Sequence, residues 1–509
     1  MHINAYEFRN KVLGCWMGKN IGGTLGAPFE WKRQINNVTF YTQDLGGEAL
    51  PNDDLDIQLL WLISLEEKGI EVDSHTLSEY WLLYLTPHWA EYGISKTNLR
   101  AGLIPPLSGS MFNDFKDSCG SFLRSEIWAC IAPGNPRLAT QYAYRDSIID
   151  HGNGEGTYAE VFCTALESTA FVVSDIHHLI RIALSYIPED SGVAGAVREA
   201  VDLYKAGKTW REARYSILEK YRGSMFYDMR SHISDEDWQR GFGSGKRGWD
   251  APSNIGMIII GLLYGEGDFA KSICTTVNCG EDTDCTAATL GSIYGILKGI
   301  QSIPEEWSKP IGRKIKTACL NLGELGYYGN QLPPDIDNLT DRTIAITQQV
   351  IARHNSPVKI MDAKSTDVGE LSTENLMVGS EMFMLYKNMY APVFHFDSFD
   401  VAVDYGPDGA LARDNTPTEV IVRVHNFSKI QANLTLHWYA PTDWQVTPSR
   451  DGFVFSLQTG LTAPLEISYQ VNIPKVIDSI SRAVLEITIQ GRPTVMLIPV
   501  MFINGNTLS

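Results

Sequence analysis

Apolar residues recur with two different periods along this 509-residue chain, and the change between them constrains the fold more than any other feature. Up to about residue 350 the spacing is helical, as in Leu55-Ile57-Leu59-Leu60-Leu62-Ile63 and Ile255-Ile258-Ile259-Leu262-Leu263. Further on the period is two: Phe399-Val401-Val403-Tyr405, Val420-Val422-Val424, Leu434-Leu436-Trp438, Phe453-Phe455-Leu457, Ile467-Tyr469-Val471, Val484-Ile487-Ile489 and Val495-Leu497-Val500, with a break expected at Pro499. Seven short strands separated by Gly, Pro, Asn and Asp predict an antiparallel, immunoglobulin-like β-sandwich. The predicted fold is therefore multidomain α and β: an all-α domain over 1–352, a polar, weakly periodic linker over 353–375, and the sandwich over 376–509. Length agrees, because single cores usually stop growing at roughly 250–300 residues.

The charge balance narrows the partners. Against 60 Asp and Glu stand 42 Lys and Arg, a net charge of -18, so the overall field repels nucleic-acid backbones and anionic lipid surfaces. Glu7, Arg9, Lys11 and Lys19 interrupt every apolar run near the N-terminus, so neither a signal peptide nor a membrane span is expected, and a cytoplasmic location follows as the expectation. The eight cysteines all precede residue 320 and none has CxxC spacing, which predicts buried free thiols rather than a zinc or redox site.

Within the helical part, Gly14, Gly18 and Gly22 fall at i, i+4 and i+8. That spacing puts three small residues on one helix face and lets another backbone approach closely, offsetting the helix stability that glycine costs.

Two short acidic segments carry the chemistry. Pro51-Asn52-Asp53-Asp54-Leu55-Asp56 stands immediately before a helical run, and Gly280-Glu281-Asp282-Thr283-Asp284-Cys285 before a second one. One Asx residue suffices to cap a helix. Three carboxylates in so short a stretch raise one another's pKa unless a cation neutralises them, and the hard oxygen donors favour a metal such as Mg²⁺.

Gly14-Cys15-Trp16-Met17-Gly18, then Gly22-Gly23-Thr24-Leu25-Gly26-Ala27-Pro28-Phe29-Glu30, then Asp53-Asp54, then Gly280-Glu281-Asp282-Thr283-Asp284 together resemble, in order, the motifs of the ADP-ribosylglycohydrolase family over roughly residues 5–345. The resemblance implies an all-α catalytic domain with two Mg²⁺ ions (or Mn²⁺) held between the acidic turns, with Asn52, Asp53, Asp54, Asp282 and Asp284 as ligands. Two departures stand out. Asn52 replaces the usual Thr or Ser, and Cys285 replaces a ligating Thr, a thiol being a poor Mg²⁺ ligand.

By the same resemblance Glu30 lies near the scissile bond, and Asp54 or Glu30 takes the proton of an attacking water. The stretch Asp150-His151-Gly152-Asn153-Gly154 resembles a ligand-proximal segment, so His151, Gly152 and Asn153 are candidate substrate contacts; a hydrogen-bonded core histidine is the other reading of His151. Trp249 is a candidate for stacking on a sugar or base, or else packs.

The implied activity is hydrolysis at C1 of an ADP-ribosyl or related ribosyl bond, on a small molecule or a protein-linked group. The alternatives are hydrolysis of another furanoside or carbohydrate conjugate, since sandwich modules accompany carbohydrate-active enzymes, and a non-catalytic ADP-ribose-binding protein.

Overall fold

The computed structural model describes residues 1–224, 230–245, 250–321, 331–366, 373–428, 430–458 and 463–507. It divides into two compact units, Met1–Lys96 with Phe112–Phe383, and Thr97–Met111 with Met384–Ser509.

The first unit is helical. Its site-bearing elements are α1 (Ala5–Gly26), α2 (Asp53–Lys68), α3 (Glu126–Ile131), α4 (Glu155–Ala170), α5 (Ala251–Tyr264), α6 (Thr283–Lys298) and α7 (Ile336–Arg353). Side chains start these helices where the sequence offers them: Asn4 accepts from the backbone N–H groups of Tyr6 and Glu7, and Asn52 from that of Asp54. Gly69 and Gly299, at φ 88° and 78°, end α2 and α6 in a conformation that favours glycine.

Helices α1 and α6 are central, being buried continuously from Val12 to Gly26 and from Thr283 to Ile296. They run antiparallel with their backbones in contact. A Cβ added at Gly18 would stand 2.0 Å from the Gly291 carbonyl oxygen, one at Gly22 2.1 Å from that of Ala287, and one at Gly26 2.2 Å from that of Thr283. The close approach expected of the small residues of α1 is thus present, and α6 answers with its own glycines, Gly291 and Gly295. Its consequence is positional: the end of α1 meets the start of α6, where the Thr283 hydroxyl donates to the Gly26 carbonyl at 2.8 Å.

The stretch 353–375 is not featureless. Within it β2 (Lys359–Met361) pairs in parallel with β1 (His2–Asn4), with Ile3 opposite Ile360.

The second unit is a pair of five-stranded sheets sharing one core. Following β3 (Val393–Phe396), β4 (Phe399–Asp404), β5 (Leu411–Ala412), β6 (Thr418–Asn426), β7 (Ala432–Tyr439), β8 (Gln445–Thr447), β9 (Asp451–Ser456), β10 (Leu465–Asn472), β11 (Ile480–Ile489) and β12 (Val495–Asn504), the orders are β3-β4-β6-β10-β8 and β5-β12-β11-β7-β9. Val401, Val422 and Val424 from one sheet meet Leu436, Ile487 and Ile498 from the other. Each period-two run of the sequence falls on one of these strands, with Tyr405 and Leu457 one residue past the ends of β4 and β9.

Three local outcomes differ from the sequence pattern. β12 continues through Pro499, which is opposite Val484 on β11, because β5 reaches only Ile503 and Asn504 and makes no demand on a Pro499 N–H. Phe453 and Phe455 of β9 face outward, 63% and 58% exposed. Leu103, Leu107 and Met111 belong to the sandwich core although they lie among the helical sequence, since local periodicity does not say which core a helical turn will join. Among the described residues no helix is long and apolar enough to cross a membrane.

Candidate active site

Two turns, each placed by a helix start, face one another. Asn52 and Asp284, 232 positions apart, are joined by an Asn52 Nδ2 to Asp284 Oδ2 contact of 3.4 Å, and the Cys285 thiol donates to Asp54 Oδ1 at 3.3 Å. The backbone of the second turn is shaped by consecutive positive φ values at Gly280 (75°) and Glu281 (70°), the latter an uncommon geometry for a side-chain-bearing residue. It is held by Glu281 N–H donating to the Lys32 carbonyl (2.9 Å) and Asp282 N–H to Asn254 Oδ1 (3.1 Å).

Not every acid of the two clusters faces the same space. Glu281 turns away and is gripped at both oxygens by the buried Arg33, at 2.7 and 3.0 Å. Asp56 uses one oxygen to accept from the backbone N–H groups of Ala318 and Cys319, at 2.7 and 2.6 Å. Sequence spacing offered six carboxylates, and tertiary contacts reserve two of them for structure.

The remaining four, Asp53, Asp54, Asp282 and Asp284, share a site with Glu30. Burial, and then the charge of Asp284, push the Asp53 carboxyl up to about 6. Burial, and then Asp284, Asp53 and Asp54, push Glu30 up to about 9. Asp54, Asp282 and Asp284 are likewise raised, with burial the largest cause. One cation lies beneath them: the buried Lys19 ammonium, 2.8 Å from Glu126 Oε1 and 4.0 Å from Asp54 Oδ2. Gln58 completes that base by donating to Glu126 Oε2 at 2.7 Å and accepting from the Ile127 N–H at 2.9 Å.

These residues fit a hard divalent cation. Among the described residues, Asp54 Oδ2, Asp282 Oδ1 and Asp284 Oδ1 are buried without a hydrogen-bond partner, a costly arrangement for carboxylate oxygens that a metal relieves. Ligand atoms of Asp282, Asp284 and Cys285 lie within 4.8 Å of one another, as do those of Cys119, Asp250 and Asp282. Asn52 directs its amide oxygen to the Asp54 N–H at 2.8 Å, so helix capping claims that oxygen while the nitrogen faces Asp284.

Beside the carboxylates opens a cavity of about 240 Å³. Glu30, Asp53, Asp282 and Cys285 line it, together with Trp31, Trp89, Glu91, Tyr92, Phe115, Ser118, Cys119 and Asp250. Tyr92 donates to Asp53 Oδ2 at 3.1 Å. Asp250 carries a carboxyl that burial, and then Glu281, push up to about 7. Glu91, Tyr92, Ser118, Cys119 and Asp250 are not site candidates from the sequence; of these only Asp250, next to the candidate Trp249, carries a local signal.

His151 does not line the cavity. It is fully buried behind it, with Nε2 3.1 Å from Ser118 Oγ and Nδ1 3.0 Å from Asp150 Oδ1. Gly152 supplies a turn at φ 48°, and Asn153 accepts from Lys116 Nζ at 3.2 Å. Trp249 lies outside the described residues. All eight cysteines are buried and free, and Cys285 and Cys119 are the two that face the acidic site.

A mainly helical unit that gathers buried carboxylates from two helix starts beside a cavity has the chemistry of a hydrolase site with room for metal-binding groups. A family model described as ADP-ribosylglycohydrolase matches residues 4–341, well over half of the chain, and the chain belongs to that family. The family comprises glycosyl hydrolases that act on ADP-ribose linkages and use divalent metals. No curated protein sequence matches the chain.

Proposed function

We propose that this chain is a Mg²⁺-dependent glycoside hydrolase that cleaves an ADP-ribosyl or related ribosyl bond at C1. The observation that carries the reading is the meeting of Asp53 and Asp54 with Asp282 and Asp284, with buried carboxylate oxygens left unpartnered among the described residues, beside a cavity that Glu30 also lines. Asp53, Asp54, Asp282 and Asp284 are the ligands of two ions, Mg²⁺ or Mn²⁺, with Asn52 at the edge of the set. Bound there, divalent cations would supply Lewis acidity toward vicinal ribose hydroxyls and toward water.

The protein's own groups do the rest. Glu30, partly buried and adjoining the ligand carboxylates, takes the proton of the attacking water. Asp54 is the weaker candidate for that base, because the Cys285 thiol donates to one of its oxygens and the other faces Lys19. The dense carboxylates stabilise positive charge as it develops at C1. Trp31 and Trp89 offer faces on which a sugar or base can stack. His151 acts one step away, by orienting the Ser118 hydroxyl, with Gly152 and Asn153 shaping its turn.

The test is release of ribosyl groups from ADP-ribosyl-arginine, ADP-ribosyl-serine and a panel of aryl furanosides, with Mg²⁺ and then with chelator. Mg²⁺-dependent turnover of any of them supports the reading. Tight ADP-ribose binding with no turnover would favour the non-catalytic binding protein, which the Cys285 to Asp54 hydrogen bond makes worth separating.

A further inference from the structure

Glycosidic cleavage needs two proton movements, one from the attacking water and one to the departing atom. Glu30 stands where the first is served. A second carboxylate, Glu91, lines the same cavity yet belongs to neither acidic turn.

Glu91 is in the first turn of the helix Ala90–Ala101, entered through Ala90 at φ 44°. It is 6% exposed, lines the cavity together with Ser118, and is packed so closely on Gly120 that a Cβ there would stand 1.9 Å from Glu91 Oε1. Any side chain at position 120 would displace it.

From Ser118, which shares the cavity wall with Glu91, the contacts form a line. Ser118 Oγ lies 3.1 Å from His151 Nε2, and His151 Nδ1 3.0 Å from Asp150 Oδ1. Asp150 is fixed in turn by Arg124, which donates to its two oxygens at 3.0 and 2.6 Å. Beside Glu91, then, the Ser118 hydroxyl, the His151 imidazole and the Asp150 carboxylate lie in series.

We propose that Glu91 is the general acid that protonates the leaving atom, and that Ser118 and His151 are positioning residues that hold it in place. The inference rests on the hydrolase reading above. The bond between C1 and the leaving atom breaks with its electron pair going to the leaving atom, which receives the Glu91 proton. The water oxygen bonds to C1 and gives its proton to Glu30, so one water is consumed. Solvent entering the emptied cavity returns a proton to Glu91 and takes one from Glu30, so both groups regain their starting state.

The environment of Glu91 agrees with this role. Burial is the largest cause holding its carboxyl above the ordinary range; Asp150 pushes the same way, and His151 and Ser118 oppose. Its own charge in turn raises Tyr92 and Asp250, and Glu30, Asp53, Cys119, Asp282 and Cys285 are further titratable groups of the same cavity.

The experiment uses the full-length chain saturated with Mg²⁺ and two ribosyl substrates, one with a 4-nitrophenolate leaving group and one with an alkyl alcohol. A good leaving group needs little protonation, whereas an alkoxide needs it fully. Glu91→Gln should therefore lose about 10²–10⁴-fold in kcat on the alkyl substrate and little on the nitrophenyl one. It should also lose the basic limb of the pH–rate profile. Ser118→Ala should move that limb without abolishing turnover, and Glu91→Asp should retain part of the alkyl activity.

Equal losses on both substrates, or none on either, would overturn the assignment. An unchanged Mg²⁺ isotherm and circular dichroism spectrum show that the variant is folded. Failure of the wild-type chain to cleave either substrate overturns the hydrolase reading itself, and the acid with it.

Discussion

Replacing Gly18 by alanine adds one carbon where the structure leaves no room for it. The added Cβ would stand 2.0 Å from the Gly291 carbonyl oxygen and 2.3 Å from its carbon. Both are main-chain atoms, so no rotamer change relieves the clash, and the added carbon must move away by about 1.4 Å to reach an ordinary contact of 3.4 Å. Overpacking of this kind costs about 1–3 kcal/mol, and a clash with rigid backbone belongs at the upper end. Alanine returns about 1 kcal/mol through helix propensity, leaving a net loss of about 1–2 kcal/mol.

For a helical unit of this size that is a shift of roughly 2–4 °C per kcal/mol in Tm, or less. The assay is guanidinium unfolding followed at 222 nm, with the helical transition fitted separately because a chain of two units need not unfold in one step. Gly452→Ala is the control, since its nearest neighbour is Leu436 Cβ at 3.7 Å, an ordinary contact. Separation at Gly18 also draws the end of α1 from the start of α6, so Glu30 moves relative to Asp284 and turnover should fall by more than the unfolded fraction explains. A Gly18→Ala midpoint equal to or above wild type would refute the backbone contact from which the cost was worked.

Four further outcomes follow from the structure. Metal binding should release protons: with Asp53 up to about 6, Asp250 about 7 and Glu30 about 9 in the metal-free protein, Mg²⁺ affinity should climb between about pH 6 and 9, and calorimetric heats should depend on the buffer's ionisation enthalpy. The sign for stability is the reverse of a salt-bridged carboxylate. These raised groups bind more protons folded than unfolded, so chelated protein should lose stability as pH rises from about 4 toward 9, and Mg²⁺ should flatten that slope, as Tm against pH will show. Glu30→Gln should lower kcat about 10²–10⁴-fold while leaving Mg²⁺ stoichiometry unchanged, which turnover and calorimetry read separately. Arg33→Met should cost about 3–5 kcal/mol in denaturant unfolding, because it strands the buried Glu281 charge.

Much of this was legible in the chain itself. Period alone separated helical from strand-rich sequence, because a helix face and a pleated strand repeat at different intervals whatever they pack against. The glycines of α1 announced a close helix neighbour, and the paired Asp residues at two helix starts announced an electrostatic difficulty that oxygen-seeking cations resolve. What spacing could not reveal was direction. Asp56 and Glu281 look like their neighbours in sequence, yet one holds the 318–319 backbone and the other meets Arg33, since each is aimed by contacts made with residues far along the chain.

The same limit hid Glu91 and Ser118, which stand in no acidic run and acquire meaning only through the cavity they share. It also hid the allegiance of Leu103, Leu107 and Met111, an ordinary apolar set that joins the sandwich core from within the helical half. Sequence determined the elements and the types of chemistry present, because propensity, periodicity and charge are local properties. Only the tertiary structure decided which groups meet, because burial, orientation and the raised carboxyl pKa values depend on neighbours brought together across hundreds of positions.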